Sequence, residues 1–355
     1  MTAHPLDLVA RRPRTCIWEI TGACNLRCVH CENRCGEKGG RELPMDRMQA
    51  VAESLARLGC KTVDVTGGEP LMRPGWDGLC RRLADLGMDL ALITNGTLLD
   101  DEALDRALGS GVGVVAVSLD GMREVHDATR LRPRPGRSPW EEAVEAIGRA
   151  ARRIRTKVIT QVNRTNMSEL PEMRRLLCDL GIGHWQLQLA LPTGRVLDLG
   201  EPYVIHPDDL VDLAAFISEC QGDASLPCID TGDTIGYYTA CEPVLRKRPT
   251  GQGLWLGCQA GIRLMAITYN GKVRGCSAMP EDFDAGDLHE ESLEEIWSDE
   301  ERFSYSTRFD TAKLTGACAS CGFGELCRGG CTSMAYWVTG TIYENPYCLL
   351  ALEHR

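Results

Sequence analysis

The residues best suited to chemistry in this chain are three cysteines near its N-terminus. Cys24, Cys28 and Cys31 follow the spacing C-x3-C-x2-C. Three thiolates this close can hold three corners of a four-iron cubane, whose full ligation normally takes four cysteines. One iron then stays open, and an open coordination position indicates chemistry, whereas a closed site indicates structure. The motif therefore predicts a reactive iron–sulfur site.

A second group of cysteines lies towards the C-terminus. It contains the run C-x2-C-x5-C-x3-C, whose tight spacing is typical of cluster ligands. Seven thiols could provide nearly all the ligands of two further clusters. Four thiolates also make a good structural zinc site, so the tail alone leaves zinc and iron–sulfur open, and the N-terminal motif favours iron–sulfur. The seven residues are Cys258, Cys276, Cys318, Cys321, Cys327, Cys331 and Cys348.

A glycine pair marks a third candidate site, in Gly67-Gly68-Glu69-Pro70. The segment closes a predicted strand at residues 62–66. Two glycines let a ligand approach the main chain closely, and exposed N–H and C=O groups can grip a charged small molecule. Glu69 could accept a hydrogen bond from an ammonium group. In isolation the segment would be an ordinary turn, but its place one strand beyond the three-cysteine loop favours a ligand site.

The elements that position these residues alternate between β-rich runs and amphipathic helical segments. The predicted strands are 15–21, 62–66, 89–94, 113–119, 157–163 and 184–189. The predicted helices are 46–58, 76–86, 100–108, 139–153, 169–180 and 207–220. Six successive βα units indicate an α/β fold with a parallel sheet, which we interpret as a partial, open (β/α)6 TIM-like barrel. Reactive groups in such folds lie at the C-terminal ends of the strands, and the three-cysteine loop follows the first strand.

The alternation divides the chain into four parts. We expect an N-terminal tail at 1–13, the partial barrel at 14–222, a bridging segment at 223–257 and a small cysteine-rich domain at 258–355. The bridging segment is rich in Gly, Pro and Thr. The last part has little regular periodicity, so we expect metal to hold it together.

Composition restricts the class of function. The chain has 355 residues and a net charge of −11, which argues against a broad nucleic-acid surface and against docking on an anionic membrane. It has no recognisable signal peptide or long apolar span, so we expect a cytoplasmic protein. Eighteen cysteines in a reducing compartment indicate metal binding or catalysis rather than disulfides.

Together these motifs resemble the radical S-adenosylmethionine enzymes, and specifically the SPASM subfamily with extra C-terminal clusters. Shorter phrases agree with this, including Ser118-Leu119-Asp120-Gly121 and Cys327-Arg328-Gly329-Gly330-Cys331. The resemblance implies that S-adenosylmethionine chelates the open iron. Reductive cleavage of the cofactor then gives a 5′-deoxyadenosyl radical, which abstracts hydrogen from a C–H bond of the substrate.

The resemblance also implies roles for single residues. Cys24, Cys28 and Cys31 would hold the first cluster. Gly67, Gly68 and Glu69, in the motif that Pro70 ends, would bind the methionine moiety of the cofactor. Ser118 and Arg130 would make further cofactor contacts, with Arg130 at the carboxylate. His30 replaces the aromatic residue usual before the third cysteine and would contribute main-chain contacts near the adenine.

For the two auxiliary clusters, the resemblance implies a complete set of ligands in one case and an incomplete set in the other. Cys318, Cys321, Cys327 and Cys348 match a fully ligated cluster. Cys258, Cys276 and Cys331 match three ligands of the other one. Its fourth ligand would be Cys241 or Cys228 from the bridging segment, unless that iron is open to solvent or substrate. Of these alternatives we favour Cys241.

Two kinds of reaction are typical of the subfamily. One modifies ribosomally made peptides by crosslinking, epimerisation or oxidation, and we favour it. The other is a two-electron oxidation of a small-molecule alcohol or of a sulfatase Ser or Cys. About fourteen residues precede the first predicted strand, so we expect no N-terminal leader-binding domain. A separate protein or the barrel surface could then bind the leader, and the basic loop at 130–137 could hold an acidic peptide.

Other expectations concern partners and minor candidates. A flavodoxin or ferredoxin would supply the electron. A non-catalytic iron–sulfur electron carrier is the alternative of another class, and the open three-thiolate site argues against it. No residue stands out as the group that quenches the substrate radical. Polar residues expected to face the open barrel are Gln161, Asn163, Gln186, Gln188 and Asp284, and aromatic candidates for the cavity are Tyr237, Tyr238 and Trp255.

Overall fold

A computed structural model describes residues 4–6, 10–36, 41–199, 202–222, 227–248 and 251–354. Its main sheet contains β1 (Thr15–Glu19), β2 (Thr62–Thr66), β3 (Asp89–Thr94), β4 (Val112–Ser118), β5 (Arg155–Val162), β6 (His184–Leu189), β7 (Cys228–Thr231), β10 (Leu264–Ile267), β11 (Lys272–Arg274) and β12 (Gly286–Asp287). A separate ladder pairs β8 (Lys247–Arg248) with β9 (Gly251–Gln252). In the main sheet β1 to β7 follow one another in sequence order, all parallel, and β10 pairs with the other side of β1.

Helices connect the parallel strands. They are α1 (Met45–Leu58), α2 (Trp76–Asp85), α3 (Asp101–Gly109), α4 (Arg123–Thr129), α5 (Pro139–Ala151), α6 (Leu170–Asp179) and α7 (Asp209–Gly222). Shorter helices follow in the rest of the chain: α8 (Glu242–Leu245), α9 (Leu293–Ser298), α10 (Ser304–Thr307), α11 (Gly324–Cys327), α12 (Thr332–Thr339) and α13 (Leu349–Glu353). None of the described helices is long and apolar enough to cross a membrane.

Local sequence explains how these helices begin and end. Asp100 caps α3 by accepting a hydrogen bond from the Ala103 amide at 2.8 Å. Gly59 ends α1 at φ +85°, a left-handed conformation that glycine adopts without steric cost. The apolar faces of the helices pack on a core that includes Trp18, Trp76 and Trp185, all buried. The predicted α/β partial barrel is thereby confirmed.

The sheet is larger than the six strands that the sequence predicts. β7 lies in the predicted bridging segment, and β10 comes from the cysteine-rich region yet pairs in parallel with β1. Both strands have only four residues, too few to produce a clear period of two. Helix α4 was also not predicted. Elsewhere the observed ends differ from the predicted ones by a few residues, as at β5, which spans Arg155–Val162.

Candidate functional site

The three N-terminal cysteines lie in the long loop between β1 and α1, at the C-terminal end of the sheet. Backbone hydrogen bonds fix this loop against the end of α4 and the residues that follow it. The Arg27 amide donates to the Leu131 carbonyl at 2.7 Å, and the Val29 amide donates to the Thr129 carbonyl at 2.9 Å. Cys24, Cys28, Cys31, Gly67, Gly68, Ser118 and Arg130 line one cavity of about 150 Å³. The structure therefore brings together most of the predicted residues of this site.

The glycine pair holds the loop by close main-chain contact. The Gly68 amide donates to the Thr21 carbonyl at 2.7 Å, and the Glu69 amide donates to the Ala23 carbonyl at 2.8 Å. A Cβ on Gly67 would lie 2.6 Å from the Thr21 carbonyl oxygen, and one on Gly68 would overlap the Ala23 carbonyl. Only glycine allows the β2 end and the cysteine loop to approach so closely.

Glu69 is fully buried and already satisfied by the protein. Its carboxylate accepts hydrogen bonds from the Thr94 hydroxyl at 2.8 Å, the Asn95 amide at 2.8 Å and the Leu71 amide at 3.2 Å. Burial raises the pKa of Glu69 to about 7. Pro70 begins the short 3-10 helix that Glu69 caps. These bonds fix the carboxylate beside the cavity, and its expected contact with the cofactor amine stays a prediction.

A buried charge network borders the same cavity through Arg130 and His30. The Arg130 guanidinium donates from Nε to the Asp120 carboxylate at 2.7 Å, and its Nη1 lies 4.0 Å from the Cys28 sulfur. Asp120 is fully buried and also accepts from the Gln161 amide at 2.8 Å. Burial alone would raise the pKa of Asp120, but Arg130 and His30 together hold it below its usual value. Arg130 thus lies at the cavity wall, and its expected contact with the cofactor carboxylate stays a prediction.

His30 belongs to the cluster loop and lines the same cavity as the three cysteines. Its Nε2 lies 3.3 Å from the Asp120 carboxylate, and its ring stacks on Tyr203 with centroids 6.3 Å apart. Asn163 donates to the Tyr203 hydroxyl at 2.9 Å. Burial lowers the pKa of His30 to about 4, so the imidazole is neutral at pH 7. Its expected main-chain contact with adenine stays a prediction.

Cys35 is a residue of this site that the sequence analysis missed. It is buried and lines the same cavity as the three motif cysteines. Its amide donates to the Cys31 sulfur at 3.2 Å. Hydrogen bonds from the Cys35 side chain and amide lower the pKa of Cys31 to about 6. The spacing C-x3-C after Cys31 was the signal available in the sequence.

The predicted ligands of the first auxiliary cluster also come together. The charges of Cys258 and Cys276 both raise the pKa of the Cys331 thiol, so the three thiols lie near one another. Hydrogen bonds join the side chains of Thr332 to Cys258 and of Ser333 to Cys276. Cys276 and Cys331 line a cavity of about 590 Å³ at the mouth of the barrel.

The second auxiliary set forms a separate site. Cys318, Cys321, Cys327 and Cys348 all border a cavity of about 520 Å³. Burial, together with the neighbouring Cys318 and Cys321, raises the pKa of Cys348 to about 11. This grouping is the one that the sequence predicts. The roles of the individual cysteines as ligands stay predictions.

Other predicted residues lie elsewhere. Gln186 and Gln188 line the cavity of about 590 Å³, which we call the main cavity. The Asn163 side chain instead donates a hydrogen bond to the Tyr203 hydroxyl, and the Asp284 carboxylate is paired with Arg274. Tyr237 and Tyr238 border the second auxiliary cavity. Trp255 is buried, and its indole donates to the Cys327 carbonyl at 3.1 Å.

The basic loop at 130–137 is largely neutralised by its neighbours. Arg130 pairs with Asp120, Arg132 with Glu142, and Arg137 with Glu145. Because these arginines already have carboxylate partners, the loop offers less attraction to an acidic peptide than its sequence indicates.

The donor chemistry of all three sites fits iron–sulfur clusters. Soft thiolate ligands favour iron–sulfur, zinc or copper(I) over the harder cations. Burial raises the pKa of Cys24 to about 12 and that of Cys28 to about 11, so a metal is needed to hold these thiols as thiolates.

Comparisons with known proteins agree with this site. Residues 18–177 match the model of the Radical SAM superfamily, and residues 258–322 match the iron–sulfur cluster-binding domain called SPASM. An AdoMet-dependent heme synthase of Methanosarcina barkeri is 29% identical over 95% of this chain and 96% of that protein. The mycofactocin maturase MftC of Mycolicibacterium smegmatis is 30% identical over 93% of this chain and 80% of that protein.

Solved structures show the same fold. Streptococcus suis SuiB bound to S-adenosylmethionine superposes with a TM-score of 0.73 at 16% identity, covering 94% of this chain and 76% of that one. The family matches also decide between zinc and iron–sulfur in favour of iron–sulfur. The chain therefore belongs to the radical SAM superfamily and is an enzyme of its SPASM branch, which uses S-adenosylmethionine and iron–sulfur clusters.

Proposed function

We propose that this enzyme modifies a ribosomally made peptide, by abstracting hydrogen from a peptide C–H bond and so starting a crosslink, an epimerisation or an oxidation. The observation that carries the proposal is an extended groove. The cavity of about 590 Å³ and a neighbour of about 420 Å³ share Glu32, Ser277 and Ala278 in their linings. Two adjoining cavities suit an extended peptide substrate better than a compact small-molecule alcohol.

The lining of the groove supports a substrate with many hydrogen-bonding groups. Gln186 donates to Gln188 at 3.3 Å, and both amides border the larger cavity. A peptide main chain offers a donor and an acceptor at nearly every residue, so exposed amide side chains can pair with it. The Lys157–Asp230 ion pair, with 3.1 Å between nitrogen and oxygen, adds charged partners on the same wall.

The position of the groove also supports this proposal. Glu32 directly follows Cys31, so one side of the groove borders the loop of the first cluster. Cys276 and Cys331 of the first auxiliary site also border the groove. When bound, the first cluster and S-adenosylmethionine supply the radical that abstracts hydrogen. The protein holds the substrate between that site and the first auxiliary site.

Similar proteins support two substrate classes. One relative is by name a maturase, that of mycofactocin, and SuiB has been solved bound to the precursor peptide SuiA. The heme synthases match almost the whole length of both chains, which makes a heme precursor the second candidate. A flavodoxin or ferredoxin as the reductant and a separate leader-binding protein also belong to the proposal.

The test is hydrogen transfer from a peptide encoded next to this gene. The reconstituted enzyme, dithionite and S-adenosylmethionine are incubated with the deuterated peptide, and 5′-deoxyadenosine is examined by mass spectrometry. We expect deuterium in the nucleoside and a mass change in the peptide. Deuterium from a labelled heme precursor, with none from the peptide, would overturn the proposal.

A pair of variants tests the groove itself. Gln188→Leu should raise the KM for the peptide about tenfold, roughly the loss of one hydrogen bond, without changing cofactor cleavage in the absence of peptide. Gln49→Leu on α1, outside the groove, is the control and should leave KM unchanged. Equal KM values for both variants would argue against peptide binding in this groove.

A further inference from the structure

The barrel site contains a fourth thiol besides those of the three motif cysteines. Cys35 is buried, with 6% of its surface exposed, and it lines the same cavity of about 150 Å³ as Cys24, Cys28 and Cys31. These four are the cysteines among the described residues of that lining. Four thiolates are the complete ligand set of a four-iron cluster. The cavity therefore offers one soft donor more than an open cluster needs.

A turn between Cys31 and Cys35 brings the fourth thiol to the others. The Arg34 amide donates to the Cys31 carbonyl at 3.3 Å, and Arg34 has a left-handed backbone with φ +51°, which a non-glycine residue rarely adopts. The Cys35 amide then donates to the Cys31 sulfur at 3.2 Å. A hydrogen bond from an amide to the sulfur of a predicted ligand places Cys35 directly beside the site of the first cluster.

Two neighbouring segments hold this turn in place. The Gly36 amide donates to the Gly22 carbonyl at 3.3 Å, which joins the turn to the start of the same loop. The Arg195 guanidinium donates to the Cys28 carbonyl at 3.1 Å and also to the Cys35 carbonyl. These bonds fix the backbone of Cys35 at the cavity wall.

Cys35 differs from the other buried cysteines in its surroundings. A buried cysteine is often a small apolar side chain of the core. Cys16, Cys60, Cys80 and Cys220 are of this kind, because all four belong to the main hydrophobic core. Among the described residues, Cys35 packs in neither hydrophobic cluster, although it is buried. Packing in the core therefore does not explain a cysteine at this position, whereas the cavity does.

We propose that the Cys35 thiolate occupies the fourth iron corner of the first cluster while S-adenosylmethionine is absent, and that it leaves this corner when the cofactor binds. On binding, an iron–sulfur bond forms and the thiol proton goes to solvent. On release, that bond breaks, the amine and carboxylate of the cofactor become the iron ligands, and the thiolate takes up a proton. Neither step transfers an electron. The inference concerns the cofactor site and does not depend on which substrate the enzyme uses.

A displaceable thiolate gives the enzyme a closed resting state. With four thiolates bound, every iron of the cluster has a protein ligand and none is open to solvent. A cofactor with two donors can replace a single thiolate, because the second donor binds intramolecularly once the first is in place. The apparent affinity for the cofactor is then reduced by the fraction of molecules whose corner is vacant. Removing Cys35 should therefore strengthen cofactor binding, whereas the loss of a purely structural residue would weaken it or leave it unchanged.

Cofactor affinity tests this competition. The full-length chain, reconstituted to about twelve irons for three clusters, is titrated with S-adenosylmethionine by calorimetry without a reductant. We expect Cys35→Ala to lower the Kd about tenfold, as follows if the thiolate occupies the corner in about nine molecules of ten. Cys80→Ala, the same change at a core cysteine of α2, is the matched control and should leave the Kd unchanged.

Iron content keeps the affinity measurement decisive. A Kd equal to or above that of the wild type, in a Cys35→Ala variant with full iron, would overturn the proposal. If Cys35→Ala loses iron, Cys35→Ser takes its place, because serine keeps the size of the side chain and is a harder, weaker donor to iron than a thiolate. The same fall in Kd is expected of that variant. If both variants lose iron, a spectroscopic measurement decides.

The spectroscopic measurement observes the proposed bond directly. In Cys35→Sec, enriched in ⁷⁷Se, the clusters are reduced with dithionite and hyperfine coupling is measured by electron–nuclear double resonance. Selenium at this one position reports only on the cluster that it binds. We expect strong ⁷⁷Se coupling without cofactor, and its loss after addition of S-adenosylhomocysteine, which has the same amine and carboxylate but no sulfonium to cleave. Absence of coupling in the cofactor-free sample, or coupling that S-adenosylhomocysteine leaves unchanged, would overturn the proposal.

Discussion

The barrel site and the second auxiliary site both gather cysteines, but their surroundings differ. In the barrel, three motif thiols lie near the buried Arg130–Asp120 pair and the satisfied carboxylate of Glu69. The cavity beside the four C-terminal thiols has no Asp, Glu, Lys or Arg among its described lining residues, and its wall includes the stacked rings of Tyr238 and Phe323. Three thiols leave one iron of a cluster without a protein ligand, and the charged groups fixed around them suit a polar cofactor. Four thiols can ligate every iron of a cluster without a cofactor.

The largest expected effect comes from breaking the buried charge pair of the barrel site. Asp120→Asn leaves Arg130 buried without its anion, which should cost about 3–5 kcal/mol of unfolding free energy. Urea unfolding of the reconstituted protein, followed by tryptophan fluorescence, measures the loss.

The control for that change is an exposed ion pair. Asp77 pairs with Arg106 at 2.9 Å, with the Arg106 side chain 43% exposed. Asp77→Asn should cost no more than about 1 kcal/mol. Equal losses in Asp77→Asn and Asp120→Asn would show that the buried pair has no special structural role.

A smaller effect is expected from adding one methyl group to each site. Gly68→Ala would push a Cβ into the Ala23 carbonyl and displace the cysteine loop, at a cost of about 1–3 kcal/mol. Gly322→Ala, between Cys321 and Phe323, meets no atom within 4 Å. We expect weaker S-adenosylmethionine binding by calorimetry for the first variant only. Normal binding by Gly68→Ala would contradict the close contact.

The smallest effect concerns hydrogen bonds to cluster sulfurs. The Thr332 and Ser333 side chains bond to Cys258 and Cys276 of the first auxiliary site. Removing both hydroxyls in Thr332→Val with Ser333→Ala should make the midpoint potential of that cluster more negative by about 20–60 mV, because such bonds stabilise the reduced, more negative state. Redox titration followed by electron paramagnetic resonance measures it, and the signal of the second auxiliary cluster should not move.

Features carried by contiguous residues could be predicted from the sequence. The three-cysteine loop, the glycine pair and strands such as β2 and β6 depend on spacing within one short segment, and the structure places them accordingly. The grouping of the seven C-terminal thiols came from the family resemblance rather than from local pattern. The (β/α)6 architecture followed from the alternation of elements.

Features that depend on distant segments could not be predicted. Strand β10 pairs with β1 although more than two hundred residues separate them in the sequence. Its four residues are too few to show the alternation of apolar and polar side chains that would predict a strand. The pairing of Asp120 with His30 and the contact of the Tyr237 hydroxyl with the Cys331 amide need the folded sheet, since no spacing in the sequence encodes them. Cys35 was missed because the motif seemed complete at Cys31.

The most direct test of the account compares cofactor cleavage with and without the barrel thiols. Cys24, Cys28 and Cys31 are replaced by alanine, and 5′-deoxyadenosine formed from S-adenosylmethionine under dithionite is quantified by chromatography. The account predicts that cleavage falls to background while about two thirds of the iron remains, because two of three clusters are left. Cleavage at the wild-type rate in this variant would contradict the central claim that the open iron of the barrel site binds the cofactor.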